Sequence, residues 1–337
     1  MADLNFSAFP DDAAREAAFA SAGPADAVRA GWVPPDERDQ TADVAHAAVM
    51  ATTPPLRVVG AGTNANATKV GLWECWAAAR PGGWPGVRQI TGSCVGAGGG
   101  NALFSLAAAD VVKRRDPERV EVPFWLLPYG VSRMLAGLRD RGDGSLGSTF
   151  ARAVREFGHL PAGGDGLPKF VESDGLVWGE RAEYDWSQGR KIPASYMEQA
   201  RPHLVKSTAV CRTADDVRDA VKNYYAVTIA SDWGGLMRPG VSGTGANARL
   251  INRRATRWLH QMSIQGWEDH PEFGELFYVL NQWGRETHGR CPSGAPPGGF
   301  WIRKGDMQSI VSQGETFAFS QFDGFPSLEE PLDFSAF

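Results

Sequence analysis

Apolar spacing changes character part-way along the chain, and that change constrains the fold most. Segments before about residue 223 carry apolar residues at helical intervals. "ALFSLAAADVVKRR" (102–115) has this spacing and ends in basic residues, which suit a helix C-terminus. "PFWLLPYGVSRMLAGLRDRG" contains a second helix. "STFARAVREFG" (148–158) is a third, with Phe150, Val154 and Phe157 on one face and Gly158 as its stop. "TADDVRDAVKN" opens with Thr213 and acidic residues, so it reads as a capped helix. Beyond it lie "YYAVTIAS" (224–231), "HQMSIQGWE" (260–268), "LFYVLNQWG" (276–284) and "GGFWIRKGD" (298–306), short β-type runs separated by Gly, Asp and Pro turns. Helices first and strands second predict an α+β protein of two packed halves, not alternating βαβ units. A cleft between the halves is the natural place for chemistry.

The flanks read differently. Residues 1–55 look like an appendage, helical around 11–21 and 41–51 and broken at "GWVPPDE" and "TTPPL". "LRVVGAG" (56–62) reads as a short strand entering a turn and opens a core that runs to 315. Residues 316–337 read as an extended, Phe-rich tail. "NFSAFP" (5–10) is echoed by "FSQFDGFP" (319–326) and "DFSAF" (333–337). Such Phe motifs either dock into a larger protein assembly or fold back on their own core.

The net charge of −5 carries no long block of one sign, which argues against nucleic acid as a partner. No run approaches 18 apolar residues, so no membrane span is expected. "MADLNFSAFPDDAAREAAFA" lacks a basic region followed by an apolar one, so no secretory signal is expected. Four cysteines in 337 residues make no disulfide framework; the expectation is a reducing, cytoplasmic setting with free thiols.

One cysteine stands apart. In "RQITGSCVGAGGGNALFS" (88–105), Cys94 sits at or just before the start of the 102–115 helix, followed by Gly96, Gly98, Gly99 and Gly100. A helix N-terminus favours a thiolate, and the small residues would let another segment approach the thiol. A thiolate needs a base, and the base an orienting group. His260 heads one β-type run and Asn281 ends the next, so adjacent antiparallel strands would place them side by side. Trp283 would then lie on the same face and shield their bond. Gln89, five positions before Cys94, could donate to an oxyanion together with the Cys94 backbone N–H.

The ordered segments "QITGSC", "HQMSIQGW", "LNQWG" and "GGFWIRKG" resemble the papain-like cysteine peptidases over roughly residues 85–306. "GDGSLGSTFARAVREFG" (142–158) resembles that family's Gly-rich cleft wall and following helix. The resemblance implies a two-lobed fold with the site between a helical lobe and an antiparallel β lobe. It implies Cys94 as nucleophile, His260 as general base and acid, Asn281 as orienter and Gln89 as oxyanion donor, with a peptide or protein substrate. Residues 1–55 are then either an N-terminal extension or, as in the family's zymogens, a pro-segment crossing the cleft. This sequence departs from the family in having Val95 where a Trp is usual and no second cysteine in the loop. Similarity to divergent bacterial and phage members carries an alternative: a virion-associated docking module with weak or no activity, gripping an assembly through its Phe motifs.

The remaining candidates read as structural. Cys75, Cys211 and Cys291 are expected to be small buried hydrophobes. His46, His159, His203 and His270 are expected at surfaces or helix ends. His288 and Cys291, in "HGRC", are half of a metal site with no second half, so neither metal nor cofactor is expected. "LRVVGAGTNANA" imitates a dinucleotide fingerprint, but no acidic residue follows Glu74 until Asp110, so it reads as a turn. Arg141-Gly142-Asp143 reads as loop.

Overall fold

The computed structural model describes residues 31–60, 66–115, 120–138, 142–188, 192–292 and 294–328. Seven helices carry the argument: α1 (Gln40–Thr52), α2 (Cys94–Lys113), α3 (Leu126–Leu135), α4 (Gly147–Glu156), α5 (Glu180–Ser187), α6 (Ala214–Lys222) and α7 (Lys304–Val311). The strands of the main sheet are β1 (Lys69–Gly71), β2 (Ser207–Val210), β3 (Ala226–Gly234), β4 (Thr256–His270), β5 (Gly274–Leu280), β6 (Gly299–Arg303) and β7 (Glu315–Ser320). Their spatial order is β6-β5-β4-β3-β7-β2, with β1 beside the far end of β4. All pairings are antiparallel. Helices α2, α3 and α4 form one lobe, and α2 lies against β4 of the other. The expected α+β division into two halves is therefore present.

The helices follow their sequence signals closely. Thr213 caps α6 in a reciprocal capping box with Asp216. Gly158, at φ 80°, follows α4 as its stop. Helix α2 begins earlier than its apolar spacing suggests, running back through the glycines to Cys94. The reason is close packing. A Cβ on Gly99 would fall 2.0 Å from the Phe150 ring, and one on Gly98 would fall 3.0 Å from the Gln261 carbonyl oxygen. The glycines let α4 and β4 approach the helix; they were expected to open the thiol itself. α2 is long and apolar enough to cross a membrane, but 83% of its apolar window is buried inside the fold, so core packing accounts for its hydropathy.

Three expectations for the flanks change. Residues 56–59 form a helical turn closed by Gly60 at φ 63°, not a strand. Residues 316–320 are not tail: β7 sits between β3 and β2 with every residue buried. Phe319 and Phe325 of the middle Phe motif are buried, and the Phe325 ring meets Tyr225 at 5.0 Å, so this copy folds back on its own core. The copies at 5–10 and 333–337, and the helix expected at 11–21, lie outside the described residues. The helix expected at 41–51 is α1.

Candidate active site

Cys94 is the first residue of α2, where the leading N–H groups have no intrahelical partner. His260 lies in β4, opposite Ser231 of β3, where the register shifts between Arg257 and His260. Such a bulge re-aims side chains. Asn281 directly follows β5, the strand paired with β4. The topology thus brings the three positions to one seam between the lobes. The His260 Nε2–Asn281 Oδ1 distance is 2.9 Å. Trp283 stacks on the His260 ring at 4.4 Å and 28°, the shielding position expected of it. Cys94 Sγ accepts the backbone N–H of Gln261, the residue after His260, at 3.4 Å. His260 Nδ1 makes no hydrogen bond among the described residues.

Two glutamines staple the seam. Gln261 Nε2 donates to the Val95 carbonyl at 2.8 Å, and Gln282 Nε2 donates to the carbonyls of Gln261 and Cys94. Gln89 stands in the loop before α2, its backbone N–H on the Gln282 carbonyl at 2.9 Å. Its side-chain amide donates to the Thr91 carbonyl at 2.9 Å, so it is turned onto its own loop.

Nothing in the motifs marks what fixes that loop. Glu183, buried on α5, accepts from Ile90 N, Thr91 N, Thr91 Oγ1 and Ser93 Oγ, the last at 2.6 Å. Glu183 therefore ties down Ile90, Thr91 and Ser93, while Gly92 N between them donates to Asp143 Oδ2 at 3.0 Å. Burial pushes the Glu183 carboxyl up to about 7, against the pull of these donors.

Residues 31–33 run across the site. Gly31 N and Trp32 N donate to the carbonyl of Leu259, next to His260, at 3.0 and 3.1 Å. On the other side Ser145 N donates to the Gly31 carbonyl at 2.8 Å, and Val33 N to the Ser145 carbonyl at 3.0 Å. The 142–146 segment thus forms one wall, as the cleft-wall likeness suggested. A Cβ at Gly31 would lie 2.0 Å from the Gly92 oxygen and 2.9 Å from Cys94 Sγ, so only glycine fits over the thiol. The strap is anchored through Glu315 of β7. This buried carboxylate accepts from Trp32 Nε1 at 2.9 Å, Arg38 Nη2 at 2.6 Å and Gly147 N at 2.6 Å, with His46 Nδ1 at 3.0 Å.

Burial sets the protonation states. Cys94 and His260 are both fully buried. Burial pushes the thiol up to about 12, although neighbouring backbone N–H groups oppose it. Burial also pushes the imidazole down to about 3, against its Asn281 bond. Both groups are neutral at pH 7; loss of water is the largest cause of each shift, and His288 adds to the fall at His260.

The other candidates behave as structural residues, with two differences. Cys75, Cys211 and Cys291 are free and buried. His270 is 2% exposed and accepts from two backbone N–H groups at a turn, so it is buried and not superficial. His288 is buried too, with Nε2 2.8 Å from Asn281 Nδ2 and Nδ1 2.8 Å from the Met237 carbonyl. Both of its nitrogens are engaged in hydrogen bonds. Among the described residues no group of three His, Cys, Asp or Glu could hold an ion.

No family model and no curated protein sequence matches the chain. Solved structures do. Xylellain, a cysteine protease from Xylella fastidiosa, aligns over 88% of this chain and 97% of its own at 13% identity and a TM-score of 0.52. Digestive procathepsin L 3 of Tenebrio molitor larval midgut aligns over 91% and 79% at 13% identity, TM-score 0.53. A procathepsin B of Trypanosoma congolense aligns over 87% and 93% at 10% identity, TM-score 0.50. Helical lobe, antiparallel sheet and the cysteine-bearing helix at their seam together make this the two-lobed fold of the papain-like cysteine proteases.

Proposed function

We propose that the chain is a cysteine peptidase held latent by its own N-terminal segment. The observation that carries this reading is Cys94 at a helix N-terminus, beside a strand whose His260 is paired to Asn281 and roofed by Trp283, with a backbone strap lying over the sulfur. Displacing residues 31–33 would admit water, the absence of which holds the thiol and imidazole neutral. His260 Nδ1 would then take the Cys94 proton. The thiolate would attack a peptide carbonyl, and the oxyanion would be met by the Cys94 N–H and by Gln89 Nε2 once it leaves Thr91. Protonated His260 would give its proton to the departing amine. A water, deprotonated by the same nitrogen, would release the acyl group. In this reading residues 1–55 include a pro-segment, and the four free thiols suit a reducing compartment.

A second reading, a silent docking module such as a virion component, is favoured by the sealed, neutral pair. One experiment separates them. The full chain is treated with a thiol-reactive epoxide before and after limited proteolysis ahead of residue 38. A peptidase is labelled at Cys94 only after cleavage, and Cys94→Ala abolishes the label. Equal labelling of wild type and variant in both states removes the peptidase reading.

A further inference from the structure

Resting on the reading of His260 Nδ1 as the base, we propose that His288 is a positioning residue that fixes the Asn281 amide and, through it, the tautomer of His260. An amide has two ends of similar shape, and the roles of both imidazoles depend on which end faces which. Backbone groups with no choice of role settle the question. The Gln282 N–H, which can only donate, lies 2.7 Å from Asn281 Oδ1, so that end is the acceptor. The Met237 carbonyl, which can only accept, lies 2.8 Å from His288 Nδ1, so that nitrogen carries the proton. A neutral imidazole has one donor and one acceptor. His288 Nε2 is then a bare lone pair, 2.8 Å from the Asn281 NH2 group. On the other side of the Asn281 amide His260 Nε2 faces Oδ1 at 2.9 Å and must donate. That leaves His260 Nδ1 unprotonated, the state a base requires.

His288 is built to stay neutral and fixed. It is 1% exposed, meets the edge of Phe300 at 4.8 Å and lies beside Trp258 and Trp283, each at 6.1 Å. Burial holds it down to about 4, so it is uncharged at neutral pH. A proton on His288 Nε2 would set donor against donor at Asn281 and turn the whole relay round.

The test is nitrogen-15 NMR of histidine-labelled full chain at pH 7, which reads each ring nitrogen as protonated or bare. The expected result is a proton on Nδ1 of His288 and on Nε2 of His260. In His288→Phe the ring shape persists but the acceptor is gone, and the ratio of His260 tautomers should fall by about tenfold. His288→Gln, with a carbonyl able to reach the Nε2 place, should restore it. A wild-type His288 protonated on Nε2, or an unchanged His260 tautomer in His288→Phe, overturns the proposal. Where the Phe variant does not fold, His288→Leu, which also lacks the acceptor, supplies the same comparison. These signals need no activity, so failure of Cys94 labelling would remove the peptidase reading alone, and a wrong tautomer with labelling intact would remove the role of His288 alone.

Discussion

Glu183 and Glu315 are both buried carboxylates serving the same cysteine, one beneath its loop and the other behind its cover, and they titrate in opposite directions. Glu183 gathers four donors, all of them uncharged, and burial still pushes it up to about 7. Burial raises Glu315 too, but His46, the Arg38 guanidinium and Trp32 override it and hold the carboxyl below its ordinary value of 4.5. Neutral dipoles only partly replace lost hydration, whereas an adjacent cation can more than replace it. The partners differ in kind as well. Those of Glu183 belong to one continuous loop that has to keep its shape. Those of Glu315 come from the strap, α1 and the start of α4, pieces that must separate if the thiol is to be reached. We read the first as a clamp and the second as a latch.

Glu315→Ala tests the latch hardest. It leaves the Arg38 side chain, 2% exposed, buried without its counter-charge, a change that costs about 3–5 kcal/mol. The urea midpoint should fall, the amides of Gly31, Trp32 and Val33 should exchange freely, and Cys94 should label without cleavage. Labelling as slow as in wild type would break the comparison. The pH dependence adds a sign. Because the folded-state value of Glu315 lies below 4.5, its contribution is present in full above 4.5 and is lost as pH falls through the lower value. Strap protection in wild type should therefore drop on acidification below 4.5, and the variant should lack that component.

Much of this was written locally in the chain. The helix-then-strand order, the capped α6 and the seam of Cys94, His260 and Asn281 rest on periodicity, caps and short motifs, which act over a few residues. What escaped depends on distant neighbours. "ETFAFS" (315–320) is apolar enough for a strand, but nothing within it says that it inserts between β3 and β2, and from 316 on it reads as part of the Phe-rich tail. "LRVV" is rich in β-branched residues yet forms a helical turn, stopped by Gly60 in the left-handed region. Glu183 sits in the acidic first turn of α5, as exposed acids commonly do. Only the fold reveals that the backbone N–H groups of Ile90 and Thr91 need it. Gly31 carries no mark at all until the Gly92 oxygen and Cys94 sulfur are seen against it.

The clamp should show the opposite pH slope. Glu183 is raised from 4.5 to about 7, so the folded state holds its proton more tightly than the unfolded chain does. Its contribution is complete below 4.5 and declines as pH rises toward 7, levelling above that. Glu183→Gln keeps the shape and cannot ionise, so this decline, on the order of 1–3 kcal/mol across the window, should vanish. Thermal denaturation between pH 4 and 8 measures it. Parallel curves for the two proteins would mean that Glu183 is no more perturbed than a surface acid, and the contrast with Glu315 would disappear.

Ser93→Ala asks whether the clamp is distributed. Ser93 precedes α2 as its N-cap residue, yet its side chain makes no capping bond and turns to Glu183. The substitution therefore removes one of four donors without weakening the helix end, at a cost of about 1 kcal/mol. Ile90 N, Thr91 N and Thr91 Oγ1 would still hold the carboxylate, so the loop should keep its place and the uncleaved chain should remain unlabelled. A latch with one carboxylate opens when that group is lost, whereas a clamp with four donors survives the loss of one. If Ser93→Ala exposed Cys94 as fully as Glu315→Ala, loop and strap would move as one body, and the division into clamp and latch would be wrong.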